Sequence, residues 1–139
     1  MGAGGARAAE NRVIWTGDAG LGASLDDMIA WERWIDAGRD DPDGLYNRLC
    51  APVSFADGRP AFYGFGLGRG TEHGRATTGH GGALRGWRSH RLHAAAERLS
   101  VVVMFNHLSD AHAAAGDLLA AALDEVPPAV VSGAATDPA

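Results

Sequence analysis

The sequence predicts an α+β fold in which an antiparallel β-sheet is flanked by helices. Apolar residues recur at helical spacing near both ends of the chain, and strand-like runs separated by turn residues follow one another between them. This order of helix, serial strands and helix predicts a sheet with helices covering one of its faces. The 139 residues, 46% of them hydrophobic, correspond to one domain at most and can bury a core.

The first predicted helix has clear start and stop signals. Ser24 is a good N-cap, and Asp26 and Asp27 fall in the first turn, where they interact favourably with the helix dipole. Apolar side chains then recur at steps of three and four residues as far as a glycine at position 38: Leu25, Met28, Ile29, Trp31, Trp34 and Ile35. The two tryptophans are expected in the core, and a short helical turn is expected over residues 44–49.

The second half of the chain predicts strands. Residues 61–68 alternate aromatic or aliphatic side chains with glycine, which indicates a strand whose backbone another group approaches closely. The strongest strand signal is the run of valines at 101–103. The other predicted elements are, in order, a hairpin turn at 71–74, strands over 75–79, 87–93 and 99–105, and a helix over 110–123 that precedes two prolines.

Several classes of protein are excluded by composition. Residues 1–12 and 127–139 lack periodicity and are predicted to be disordered, which leaves 13–126 as the folded portion. No apolar run is long enough to cross a membrane, and the N-terminus does not resemble a signal peptide. The net charge is −5 and the arginines are scattered, so we expect no nucleic-acid partner. A single cysteine, Cys50, suits a reducing compartment, and a cytoplasmic location is expected.

The segment Gly79-His80-Gly81-Gly82-Ala83 is the best candidate site. His80 is titratable, and the glycines around it leave the backbone open to a ligand, whose carbonyl oxygen exposed N–H groups can bind. Two interpretations carry equal weight on the residues alone. His80 is either a functional group or a surface histidine near glycines that a tight turn requires.

The chain lacks the other parts of a nucleophilic site. It contains no lysine, since all 12 basic residues are arginine, so a mechanism that needs a lysine amine cannot be completed by this polypeptide. No serine stands in Gly-x-Ser-x-Gly or Ser-x-x-Lys, and Cys50 has no histidine near it in sequence. We therefore interpret the chain as supplying only part of the residues that line an active site.

No metal or other cofactor is expected. His90 and His93 lie three residues apart on a predicted strand and should point to opposite faces, and His107 and His112 straddle a strand-to-helix junction. Other charged residues have simpler explanations. Capping explains the two aspartates of the first helix, Asp18 is interpreted as a turn residue, and Arg85 and Arg88 as solvating the sheet.

Three segments together resemble the penicillin-recognising serine hydrolases, which include class C β-lactamases, D-Ala-D-Ala carboxypeptidases and related esterases. Residues 17–28, Gly-Asp-Ala-Gly-Leu-Gly-Ala-Ser-Leu-Asp-Asp-Met, resemble the segment before a long helix in that family. Residues 57–68 resemble the strand before the family's third motif, and residues 79–82 resemble that motif, usually Lys-Thr-Gly but His-x-Gly in some branches. The match covers roughly residues 11–125 and is most similar to the D-aminopeptidase branch.

The resemblance implies an incomplete β-lactamase-like domain, the C-terminal portion of a catalytic domain. His80 would replace the third-motif cation and aid proton movement, the Ala83 amide would form half of an oxyanion hole, and Gly81 and Gly82 would let the substrate lie along the strand. The family's Ser-x-x-Lys and Tyr-x-Asn motifs are absent. The resemblance implies release of N-terminal D-residues from small peptides or amides through an acyl-serine, and the isolated chain is expected to be inactive.

Two alternatives to this interpretation stay open at the level of sequence. The chain corresponds to an esterase, β-lactamase or carboxypeptidase of the same fold, or it is a non-catalytic binding or complementing module, so whether it is itself an enzyme is undecided. A sheet that lacks neighbouring elements exposes apolar surface and strand edges. The expected partners are therefore a small D-amino-acid peptide or amide, and either a second copy of the chain or a missing N-terminal portion.

Overall fold

A computed structural model of the chain describes Gly17 and residues 19–125. The predictions of disorder for 1–12 and 127–139, and the assignment of Asp18 to a turn, lie outside the described residues. Within them, no helix is both long enough and apolar enough to cross a bilayer.

The fold contains three helices and six strands within the described residues. In chain order these are α1 Leu25–Gly38, α2 Leu45–Leu49, β1 Val53–Ser54, β2 Pro60–Ala61, β3 Gly68–Glu72, β4 Arg75–Leu84, β5 Trp87–Ala94, β6 Leu99–Phe105 and α3 Ala111–Glu125. Strands β1 and β2 form a small hairpin, and β3-β4-β5-β6 form a four-stranded antiparallel sheet in sequential order. The predicted α+β class, with an antiparallel sheet flanked by helices, is confirmed.

Helix α1 begins where the sequence predicts. The Ser24 hydroxyl accepts a hydrogen bond from the Asp27 backbone N–H at 3.2 Å, and the Asp27 carboxylate accepts one from the Ser24 N–H at 2.8 Å. This capping box satisfies two backbone donors that a helix start leaves without partners. The Asp27 carboxyl has a lowered pKa because it accepts hydrogen bonds from the backbone N–H and the hydroxyl of Ser24. The predicted helical turn at 44–49 and the strand over 99–105 are also confirmed, as α2 and β6.

The strand predicted over 61–68 is wrong. The segment between β2 and β3 is a loop with a single bridge, between Tyr63 and Gly68. The Gly64 N–H donates to the Leu67 carbonyl, and Gly66 has φ +78°, so the chain turns where the alternating pattern predicted extension. Because the loop carries the aromatic side chains of Phe62 and Phe65 into solvent, its apolar residues do not form a sheet face.

The helices cover both faces of the sheet, so the expectation that they cover one face is wrong. On β5, Leu92 packs in a core with α3, whereas the neighbouring Arg91 pairs with Glu32 of α1. Successive side chains of a strand point to opposite faces. Helix α3 therefore lies on one face, and α1 and α2 lie on the other.

Each face has its own apolar core. The larger one joins the sheet to α3 through Leu92, Ala94, Val101, Val103, Ala111, Ala115 and Leu119. The smaller one contains Ile35, Tyr46 and Leu67. Trp31 and Trp34 belong to neither core, contrary to the sequence-based expectation. They stack on each other with ring centroids 4.9 Å apart and stay 42% and 46% exposed.

Candidate active site

His80 lies within strand β4 and is exposed. The sequence predicted a strand that ended at Gly79, but β4 continues to Leu84, so His80 stands in the middle of a strand. Its ring lies 5.9 Å from the ring of Tyr63, which the loop before β3 places beside it. Sequence reasoning did not single out Tyr63 as a neighbour of His80, because only the folded loop brings the two together.

One edge of β4 is open from His80 onward. Strand β3 begins at Gly68, which is the register partner of Gly79, so β3 pairs with β4 only up to that position. On its other side β4 stays paired with β5 as far as Leu84. Residues His80–Leu84 therefore have one paired edge and one edge that no described strand occupies.

The backbone groups of Gly81 and Ala83 face the open edge. The Arg69 N–H donates to the Phe62 carbonyl at 2.6 Å, on the side of β3 away from β4. The backbone N–H and carbonyl of the preceding Gly68 therefore point toward β4, and those of its register partner Gly79 point toward β3. Backbone N–H and carbonyl groups point to alternate sides of a strand from one residue to the next. Those of Gly81 and Ala83 therefore point to the same side as those of Gly79, beyond the end of β3. Their N–H groups are accessible to an extended ligand.

The glycines of this segment also make room for neighbouring side chains. A Cβ at Gly81 would stand 2.8 Å from His90 Nδ1, and one at Gly82 would stand 2.7 Å from Ser89 Oγ. A Cβ at Gly79 would overlap the backbone carbonyl oxygen of Arg91. The backbone of β5 therefore excludes a side chain at Gly79, whereas at Gly82 only the movable Ser89 hydroxyl stands in the way.

A buried polar network lies on the His80 face of the sheet. Arg91, the register partner of His80, forms a two-point ion pair with Glu32, and its guanidinium donates to the Tyr46 hydroxyl at 3.2 Å. That hydroxyl also hydrogen-bonds Thr78 Oγ1 at 2.7 Å. Burial raises the pKa of Tyr46, which keeps the phenol protonated. The network ties α1, α2, β4 and β5 together beneath the candidate site.

Sequence reasoning missed this network, although one signal for it was present. Glu32 falls on the same side of α1 as Met28 and Ile35, because residues three and four apart share a helix face. A carboxylate on an otherwise apolar face indicates a buried partner. The identity of that partner, Arg91, depended on how the sheet packs against the helix.

A second group of polar residues lies on the opposite face, where β4 and β5 meet the start of α3. His90 and His112 have ring centroids 4.5 Å apart, and His112 pairs with Glu72 at 3.2 Å. Burial and the neighbouring His112 lower the pKa of His90. His93 points to the other face, against Tyr46, as the spacing predicted. Within residues 19–125 no three His, Cys, Asp or Glu side chains are arranged to hold a metal ion.

Arg88 has a local structural role. Its guanidinium donates to the carbonyls of Leu84 and Trp87 at 2.6 and 2.7 Å, across the turn between β4 and β5. These contacts with the backbone of the sheet agree with the interpretation of Arg88 as a residue of the sheet surface.

The sequence model of the beta-lactamase family matches residues 1–125 of this chain. The chain belongs to the beta-lactamase family. It is 70% identical over 119 residues to a D-aminopeptidase of Gluconobacter oxydans, and 58% identical over 120 and 119 residues to D-aminopeptidases of Cereibacter sphaeroides and Brucella ovis. Each match covers 86% of this chain and 23% of the relative. The resemblance that the motifs indicated is confirmed, and the chain spans about a quarter of the length of these relatives.

Proposed function

We propose that this chain supplies part of the active site of a serine hydrolase that releases N-terminal D-residues from small peptides or amides. The single observation that carries the proposal is the open edge of β4 at His80–Leu84, on a strand of a beta-lactamase family domain. The names of the relatives support the choice of substrate.

The open edge suits an extended substrate. A peptide or amide laid along β4 gains main-chain hydrogen bonds and meets no side chain at Gly81 or Gly82. We assign the Ala83 N–H to one half of an oxyanion hole, since donors fixed in a strand stabilise charge that develops on a carbonyl oxygen. His80 stands exposed beside this edge and is assigned to substrate binding and proton movement.

The nucleophile and its base must come from another polypeptide segment. The sequence contains neither Ser-x-x-Lys nor Tyr-x-Asn. The chain is therefore proposed to be inactive alone and to act as part of a longer polypeptide or with a partner, in the cytoplasm, where its single cysteine stays reduced. A homo-oligomer is an alternative arrangement.

A second candidate function, a non-catalytic binding or complementing module, is favoured by the exposed apolar side chains. Phe62, Phe65 and Trp87 are 75%, 65% and 54% exposed. An esterase, β-lactamase or carboxypeptidase of the same fold differs from the leading proposal in substrate only.

The experiment uses a chimera in which this chain replaces the matched 119 residues of the Gluconobacter relative. We expect hydrolysis of D-alanine amide by the chimera and none by the purified chain, with a β-lactam and an acyl ester as comparison substrates. His80→Ala in the chimera should lower kcat/KM by roughly 10²-fold or more. His107→Ala, at another exposed histidine, is the matched control and should leave kcat/KM unchanged. Hydrolysis by the chain alone that persists in His80→Ala would overturn this assignment.

A further inference from the structure

The ring of Tyr63 stands beside the open edge of β4, at the end where His80 lies. It approaches the His80 ring to 5.9 Å between centroids, and the two ring planes are tilted by 47°. Tyr63 is 44% exposed, so part of its ring contacts the protein and another part stays accessible. A half-exposed aromatic ring next to an exposed imidazole offers an apolar surface to a bound ligand.

The loop that carries Tyr63 is fixed to the rest of the fold. Tyr63 bridges Gly68, the first residue of β3, and the neighbouring Gly64 N–H donates to the Leu67 carbonyl at 2.9 Å. Leu67 is itself buried in the smaller core, together with Ile35 of α1. The position of the tyrosine ring is therefore set by backbone pairing and by burial of the same loop.

The position of Ala83 indicates the direction in which a peptide lies along the edge. In an aminopeptidase substrate one residue precedes the bond that is cut, and the remainder leaves. Ala83, the assigned oxyanion donor, is one residue from the end of β4 at Leu84 and three residues from His80. The N-terminal residue therefore fits opposite Ala83, and the leaving portion runs toward His80. This direction is antiparallel to β4, as are both strands that pair with it.

An antiparallel peptide in this register places its first leaving residue opposite Gly82. Cross-strand partners project their side chains from the same face, and so do residues two apart on a strand. The side chain of the first leaving residue therefore shares the face of His80 and meets no side chain at Gly82. It is the diagonal neighbour of His80, a separation of about 7–8 Å that aromatic and long side chains can reach across. The second leaving residue lies opposite Gly81 and points to the other face.

We propose that Tyr63 determines specificity for the first leaving residue, for which its ring and that of His80 form an apolar subsite that favours an aromatic side chain. The inference rests on the proposed function, because the direction of the substrate is taken from the aminopeptidase reaction. Aromatic rings pack in offset or edge-on arrangements with centroids about 4.5–7 Å apart. A phenylalanine in this subsite gains such contacts, whereas the ammonia released from a simple amide gains none.

Two isomeric substrates test the subsite in the chimera described above. D-Ala-Phe-Gly carries its aromatic ring on the first leaving residue and D-Ala-Gly-Phe carries it on the second, with L-phenylalanine in both. We expect a kcat/KM roughly three- to tenfold higher for the first peptide. Tyr63→Ala should remove this preference, whereas Tyr63→Phe should keep it because the ring remains. The ratio of the two constants is the readout, because a general loss of activity lowers both and leaves their ratio unchanged.

Phe62→Ala is the matched control. Phe62 precedes Tyr63 in the same loop and is 75% exposed, but the ring that contacts His80 is that of Tyr63. The control substitution should leave the ratio for the two peptides unchanged. The same ratio, measured in the Gluconobacter relative with alanine at the position aligned with Tyr63, is a second test that needs no chimera to fold.

The proposal is wrong if Tyr63→Ala leaves the ratio unchanged or if Phe62→Ala lowers it equally. It is also wrong if the preference that depends on Tyr63 follows the second leaving residue, or the N-terminal residue when D-phenylalanine amide is compared with D-alanine amide. In each of these cases hydrolysis of D-alanine amide by the parent chimera still supports the proposed function. A chimera that hydrolyses none of these substrates contradicts the proposed function, and the ratio in the relative then decides on the subsite alone.

Discussion

At the scale of single residues, the glycines of the candidate site differ in what they permit. Gly79 lies directly against the backbone of β5, whereas the space beside Gly82 is limited only by the Ser89 hydroxyl, which can rotate away. Gly81 faces the ring of His90 on the opposite side of the sheet. The three glycines, which the sequence alone does not distinguish, therefore have three different neighbours.

Gly79→Ala is expected to destabilise the fold, and Gly82→Ala is the matched control. The added methyl group at position 79 must push β4 away from β5, and such overpacking costs about 1–3 kcal/mol of unfolding free energy. At position 82 the hydroxyl of Ser89 moves instead, so the cost should be roughly 0.5 kcal/mol or less. Urea unfolding followed by circular dichroism measures both. Equal losses for the two variants would contradict the close approach at Gly79.

At the scale of elements, the sequence predicts where α1 begins and ends but not which of its side chains are buried. The cap, the acidic first turn and the end near Gly38 all follow from local residues. Its sheet-facing side nevertheless contains the buried pair Glu32 and Ile35, while Trp31 and Trp34 stay exposed. An amphipathic pattern gives the presence of a helix but does not decide which apolar flank is covered.

Ser24→Ala is expected to weaken the start of α1. The substitution removes the hydroxyl that accepts the Asp27 N–H, and the loss of such a cap costs about 1 kcal/mol. Ser24→Thr keeps a hydroxyl at the same position and should keep most of the stability. Thermal unfolding monitored at the helical band measures the difference. If the alanine and threonine variants melt together, the capping box contributes nothing to the folded chain.

At the scale of the whole molecule, the sheet is asymmetric in chemistry. One face joins α3 through an aliphatic core, and the other joins α1 and α2 through the network of Glu32, Arg91, Tyr46 and Thr78. His93 is buried beside this network, 2% exposed, with its Nε2 atom lacking a hydrogen-bond partner among the described residues. Burial, followed by the nearby Arg91 charge, lowers the pKa of His93 below its ordinary value of 6.5.

Stability is therefore expected to fall as the pH drops from about 7 to about 5. Below pH 6.5 the unfolded chain binds a proton at His93, whereas the folded chain, in which the pKa is lower, does not. The contribution of neutral His93 to the free energy of unfolding is therefore complete above pH 6.5 and is lost as the pH falls toward the pKa of the folded state. Half-buried His90, whose pKa is also lowered, acts in the same direction. Unfolding free energies of the parent and His93→Gln across this range measure the effect. A pH slope that is unchanged in the variant would contradict the role of His93.

His80 and Tyr63 show how much of the candidate site could be predicted from the sequence. His80 was found from its neighbours and the family motif, because both are local in the chain. Its position within a strand was not, since residues 80–84 continue β4 only by pairing with β5. Tyr63 was not found as its partner, because the loop that places it was predicted as a strand.

The sequence by itself determined the helices, the strands that later became β5 and β6, the N-cap at Ser24, the family resemblance, and the absence of lysine. These depend on residue types and on spacings of a few positions. Only the tertiary structure decided that helices lie on both faces, that Arg91 pairs with Glu32, and that no described strand occupies one edge of β4 at His80–Leu84. Those features depend on register and on contacts between residues far apart in sequence, which no local pattern encodes.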